Sequence, residues 1–340
     1  MGSATAPWFG VSYFGNRFPQ HARADLRAMR EAGADFVVLV MSESDLRWNP
    51  GTMTELVAIA REAELQPWLT AWAIGGVFGG ETASYAIGDY PTACQRDNHG
   101  QHVPALCPRQ QTFRNVMSGW LDVAVATGVK IVQWDEPQLA LPFRTGATRY
   151  ACCCDVCTAA FRARFGTPFP EVATSEVEIF NDDLLAELIA WLVAAARERG
   201  LESAVVLLPD ENYEPARAQE AAHLPGVRYF GTTPFVLRNG VAPGEIDSYL
   251  ASWSELMLQA TEGSEAEPFA WVQAFDVPAG RENEIALAIQ SLVAHGVPTV
   301  SVWSYRGCEA MSGLACEDPG AAWHATSHAF LTAKGASGAR

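Results

Sequence analysis

The chain has 340 residues, 49% of them hydrophobic, and a formal charge of −16 from 39 acidic against 23 basic side chains. That length buries a large core, and the acid excess repels phosphate, which argues against nucleic acid or an anionic membrane as partner and for a neutral or cationic small ligand. The opening MGSATAPWFG lacks the basic start and apolar stretch of a secretory signal, and no run approaches the ~18 apolar residues of a membrane helix, so the expected location is the cytoplasm.

Eight short runs rich in β-branched and aromatic residues follow one another along the chain: Trp8 to Phe14, Phe36 to Met41, Pro67 to Ala73, Val129 to Trp134, Ala204 to Leu208, Val227 to Phe230, Phe269 to Phe275 and Thr299 to Trp303. Between them lie segments with apolar residues three and four apart, such as ADLRAMREAGA and NEIALAIQSLVAHG, each closing near a glycine stop. Eight such alternations, with no linker and no GxGxxG after the first run, predict one closed (β/α)8 barrel over residues 1–333, followed by a flexible tail over 334–340. Long βα loops follow the third and fourth strands, and the first of them, Ile74 to Arg109, carries too much turn chemistry for an idle connection and is expected to wall the site.

In such a barrel the chemistry sits where strands end. The fourth run, KIVQWDEPQ, stops at Asp135 and Glu136, placing two carboxylates at the rim. A partly buried Glu beside a second acid can keep its proton near neutral pH, as cleavage of a glycosidic bond requires of its general acid; helix capping or an Arg pair is the plain structural alternative. Cys152, Cys154 and Cys157 have a Cys-x-Cys-x-x-Cys spacing, and with Cys107 they make a four-thiolate set suited to a structural Zn²⁺, closed to water and substrate. Inert buried thiols or a disulfide are the alternative. Neither HExxH, a Walker loop nor a GxSxG elbow occurs.

The stretch RDNHGQHVPALCPRQQTFRNVM, the strand-four carboxylate and the cysteine spacing resemble glycoside hydrolase family 42, the bacterial β-galactosidases, most closely over the first half of the barrel. The resemblance implies a glycosidase acting on a short oligosaccharide or small glycoside, with Glu136 as acid/base and Cys107, Cys152, Cys154 and Cys157 holding zinc. Two positions depart from the family. Asp135 stands where the family has the Asn that touches the sugar 2-hydroxyl; Asp can accept but not donate a hydrogen bond, which leaves β-galactosidase specificity open.

At the end of strand seven, where the clan carries its nucleophilic Glu, the text reads FAWVQAFDVPAG, and the only carboxylate is Asp276, the expected nucleophile or base. Glu43, Asp210, Glu211 and Glu309 are the other rim carboxylates that compete for that role. Strand eight ends SVWSYRG, where these barrels place an aromatic platform, often before a cis peptide, making Trp303 the stacking residue; Tyr13, Trp72 and Trp271 are further candidates for sugar contact. Two other readings stand beside hydrolysis: a sugar-binding barrel without turnover, and a lyase or isomerase using Glu136 for proton transfer. Oligomeric state is open, and Cys94, Cys153, Cys308 and Cys316 receive no role.

Overall fold

The computed structural model describes residues 6–14, 16–80, 82–208 and 214–338. Ten strands form. They are β1 (Trp8–Tyr13), β2 (Phe36–Met41), β3 (Gln66–Ala71), β4 (Cys94–Arg96), β5 (His102–Leu106), β6 (Ile131–Asp135), β7 (Glu202–Leu207), β8 (Val227–Thr232), β9 (Glu267–Gln273) and β10 (Thr299–Trp303). Eight of them close a parallel barrel in the order β1-β10-β9-β8-β7-β6-β3-β2, while β4 and β5 pair antiparallel within the loop after β3. This is the (β/α)8 barrel that the alternating pattern predicts, and strands buried on both faces, such as the FVVLVM of β2, explain its unbroken apolar runs.

Side-chain alternation sorts each strand between two cores. Phe9, Val11 and Tyr13 of β1 pack outward against the helices, whereas Trp8 joins Phe36, Trp68, Tyr229, Phe269 and Trp271 inside the barrel. The lumen is a stack of rings, with Phe36 and Trp68 centred 4.3 Å apart and Trp68 and Tyr229 4.7 Å apart. Gly10 makes room for it, since a Cβ there would lie 2.1 Å from the Phe36 ring.

A satellite core forms around the cysteines, joining Cys107, Cys152, Cys154 and Cys157 to Leu139, Phe143, Tyr150, Phe161, Phe180 and Leu184. Backbone hydrogen bonds tie this lobe to the β4–β5 hairpin: Cys153 N donates to Arg96 O at 2.7 Å and Asn98 N to Tyr150 O at 3.1 Å. Residues 334–338 continue the last helix, Pro319–Gly338, and Lys334 Nζ lies 2.6 Å from Asp35 Oδ1. No helix among the described residues is long and apolar enough to cross a membrane.

Candidate active site

At the carboxyl end of the barrel a narrow cleft of about 50 Å³ is lined by Trp72, Trp271 and Trp303, by Phe235, Phe275 and Leu314, and by Asp135, Glu136, Thr233 and Arg238, with Gly79 and Gly80 on one wall. The position of Glu136 follows from the chain geometry. In β6, Ile131 points into the barrel and Val132 and Trp134 pack outward, so alternation aims Asp135 inward and would send Glu136 out. Glu136 instead has φ +46°, a left-handed conformation rare outside glycine, and its carboxylate lies in the cleft. Its backbone N–H donates to Val206 O at 3.0 Å on β7, and Thr233 Oγ1 donates to Glu136 Oε1 at 2.7 Å. Such a conformation costs on the order of 1–3 kcal/mol and persists where neighbours fix it, as these two bonds do.

Asp135 shares the cleft. Gln133 Nε2 donates to its Oδ1 at 3.1 Å, and Gly79 N–H donates to its backbone oxygen at 3.0 Å. Both carboxylates converge on Gly79, where an added Cβ would lie 3.1 Å from Glu136 Oε2 and 3.4 Å from Asp135 Oδ2. At Gly80 the φ is +134° and a Cβ would fall 1.4 Å from Trp72 Nε1, so only glycine lets Trp72 close that wall. The loop after β3 is thus part of the site, as its turn-rich text predicts.

Three tryptophans named from sequence meet here. Trp303 stacks on Phe14 at 5.1 Å and 16°, and meets Trp72 and Trp271 edge-on at 5.5 and 6.1 Å. The peptide after Trp303 is cis.

Tyr13 is not in this group. It faces outward, its hydroxyl donating to Asp25 Oδ2 at 2.7 Å, and burial followed by Asp25 pushes its ionisation well above the usual tyrosine range. Both faces of β1 are largely buried, so the sequence does not reveal which one Tyr13 occupies.

Asp276 also lies elsewhere. Strand β9 stops at Gln273, which shares the inward parity of Phe269 and Trp271; Phe275 fills the cleft, and Asp276 is exposed, its N–H donating to Leu314 O at 2.7 Å. The Gln273 side chain is engaged on both sides, accepting from Arg238 N–H at 2.9 Å and donating to Phe275 O at 3.1 Å. Of the competing carboxylates, Glu43 accepts from Gly75 N, Ser84 Oγ and Ala86 N and serves as a loop clamp, while Glu309 pairs with Arg306 at 2.8 Å. Asp210 and Glu211 lie outside the described residues. Sequence reasoning missed Thr233, Phe235 and Arg238, and the TTPF text directly after β8 was the available signal for the first two.

A larger cavity of about 540 Å³ opens outside the barrel, between residues 137–144 and the helices Ser175–Arg197 and Pro215–Ala222. Leucines dominate it, and its charged residues are committed to ion pairs, Arg144 with Asp182 and Arg217 with Glu220. The convergent carboxylates therefore mark the smaller cleft as the candidate active site.

The four cysteines named from spacing do come together. All are buried, their sulfurs lie within 4.8 Å of one another, and Cys107 and Cys157 sulfurs are 3.5 Å apart. A tetrahedral ion with metal–sulfur bonds of 2.3 Å requires sulfurs about 3.8 Å apart, so the set fits a metal. Hydrogen bonds from Cys107, Cys152 and Cys157 hold the Cys154 thiol far below its ordinary range, as a thiolate ringed by donors. Cys153, Cys94, Cys308 and Cys316 are not part of this set.

No family model matches the chain, and no curated protein is significantly similar to it in sequence. Solved structures share its architecture. The β-galactosidase of the psychrophilic Marinomonas ef1 superposes with a TM-score of 0.69 at 13% identity, over 96% of this chain and 59% of that one. The β-galactosidase of Bacillus circulans sp. alkalophilus gives 0.70 at 14%, over 96% and 55%, and the GH5_18 protein of Streptomyces cattleya, solved in complex with GlcNAc, 0.62 at 12%, over 97% and 81%. The chain spans under three fifths of either β-galactosidase, and at such identity the likeness is one of fold.

Proposed function

We propose that this chain is a glycoside hydrolase of the family 42 type, acting on a short oligosaccharide or small glycoside with Glu136 as general acid/base. The observation that carries the reading is Glu136 itself: a carboxyl group turned out of strand alternation into an aromatic cleft, fixed by Thr233 and accompanied by Asp135. Glu136 protonates the leaving oxygen as the glycosidic bond breaks. Asp135 accepts a hydrogen bond from a sugar hydroxyl, and Trp303 with Trp72 and Trp271 offers ring faces to the sugar. The four-cysteine group holds structural Zn²⁺; four thiolates leave no open position, so the ion keeps the lobe folded and takes no part in bond cleavage. Two β-galactosidases among the fold neighbours agree with this reading.

Its test is turnover of a panel of aryl α- and β-glycosides by the wild type, by Glu136→Gln and, to find the partner carboxylate, by Asp210→Asn and Glu211→Gln. Activity in the wild type that falls by roughly 10²–10⁴-fold in Glu136→Gln supports the assignment. A Glu136→Gln variant as active as wild type refutes it.

One observation favours a second reading, sugar binding without turnover. Gln273, a neutral amide, ends β9 on the inward side, and Asp276 is turned to the surface. An inactive wild type that binds sugars by calorimetry would establish that reading.

A further inference from the structure

Four aromatic rings are exposed among the described residues, and all four stand on one quadrant of the barrel mouth. Phe18 and Trp48 are each 69% exposed, Tyr85 41% and Tyr90 46%. Phe18 follows β1, Trp48 ends the helix Glu43–Trp48 after β2, and Tyr85 and Tyr90 bracket the helix after β3, so they sit on the loops of three adjacent strands. The same loops supply Phe14, Trp72, Gly79 and Gly80 to the cleft and its rim. Polar contacts bind the quadrant together: Arg17 pairs with Asp45, and Arg47 pairs with Asp89 while lying 4.7 Å over the Tyr85 ring.

We propose that this quadrant is a second binding surface, a platform for the distal residues of a neutral glycan chain whose end enters the cleft. The proposal rests on the carbohydrate reading of the cleft and extends it from small glycosides to longer chains. Three features select this occupant. The large hydrophobic side chains exposed on these loops are all rings, and ring faces suit the apolar faces of pyranoses. The charges between them are paired, which fits an uncharged ligand. A second copy of a chain carrying −16 charges would be repelled, which disfavours self-association as the purpose of the patch.

The experiment is affinity electrophoresis of the native protein in gels containing soluble galactan, glucan or galactomannan, comparing wild type with the Phe18→Ala, Trp48→Ala double variant. Both positions are exposed and lie outside the cleft, so the variant is expected to fold and to keep wild-type turnover of aryl glycosides. Retardation of the wild type by one polymer, weakened about tenfold in the double variant, supports the platform. Equal retardation of both, or of neither by any polymer, overturns it. So does light scattering that finds a wild-type dimer which the double variant dissolves, assigning the patch to self-association. Retardation is read without turnover: a retarded but inactive wild type counts against hydrolysis alone, and an active, unretarded one against the platform alone.

Discussion

The ends of β6 and β9 present the same backbone device with opposite results. Each is followed by an acidic residue in the left-handed region, Glu136 at φ +46° and Asp276 at φ +49°. At β6 that residue comes directly after the strand and still bonds to β7 through Val206 O, so the turn throws its carboxylate into the cleft. At β9 two further residues intervene, Ala274 bonds across to Trp303 O, Phe275 takes the space over the barrel, and Asp276 bonds to the loop after β10 and faces solvent. Of these two left-handed acids, the one that directly follows its strand reaches the cleft and the one set two residues further on does not.

The sharpest way to break this comparison is to neutralise both acids. Glu136→Gln is expected to lose roughly 10²–10⁴-fold in kcat/KM on an aryl glycoside, while Asp276→Asn stays near wild type, as an exposed surface change should. Comparable losses in both would return Asp276 to the mechanism and show that its loop moves inward with substrate.

The next largest effect concerns what holds the β6 end. The segment after Glu136 is packed through Leu139 and Phe143 into the cysteine lobe, and Gln138 N–H donates to Val77 O at 2.8 Å. Cys154→Ser is expected to abolish stoichiometric metal by elemental analysis, to lower the thermal midpoint by several degrees and to reduce turnover, since a structural four-thiolate ion contributes directly to folding. The β9 end has no such lobe. Full metal content in Cys154→Ser, or a metal-free wild type of unchanged stability, would remove the zinc from the argument.

The smallest expected effect sits on the β1 flank. Burial, then Asp25, pushes the Tyr305 hydroxyl up to about 12, and Tyr13 shifts in the same direction. Folding favours the protonated phenols, so their contribution is complete below about 10, the unfolded value, and that of Tyr305 is lost as pH rises through about 12, that of Tyr13 at still higher pH. Absorbance titration should show these two tyrosines ionising late, together with alkaline unfolding; early titration would place Tyr13 away from Asp25.

The barrel was legible because its signal, eight apolar runs alternating with helical segments, is repeated and redundant. Phe36–Met41 and Thr299–Trp303 form as read, and the remaining runs shift by one or two residues at an end. Glu136 and the cysteines were legible for a different reason: residue identity alone carries their chemistry. The text around Asp276 does not reveal where its carboxylate points, because the apolar run continues through Ala274 and Phe275 beyond the end of β9 at Gln273. Thr233 and Arg238 carry no periodic signal, and they reach the cleft only once β8 has paired between β7 and β9.

The spacing of the cysteines also has a consequence for how the chain acquires its structure. Between Cys107 and Cys152 lie the helix Gln111–Thr127 and β6, so the fourth sulfur reaches the others only after a complete βα unit has docked across 45 positions of sequence. Gathering the four sulfurs thus requires the first half of the barrel to be assembled, the same arrangement that sets the end of β6 and Glu136 in place.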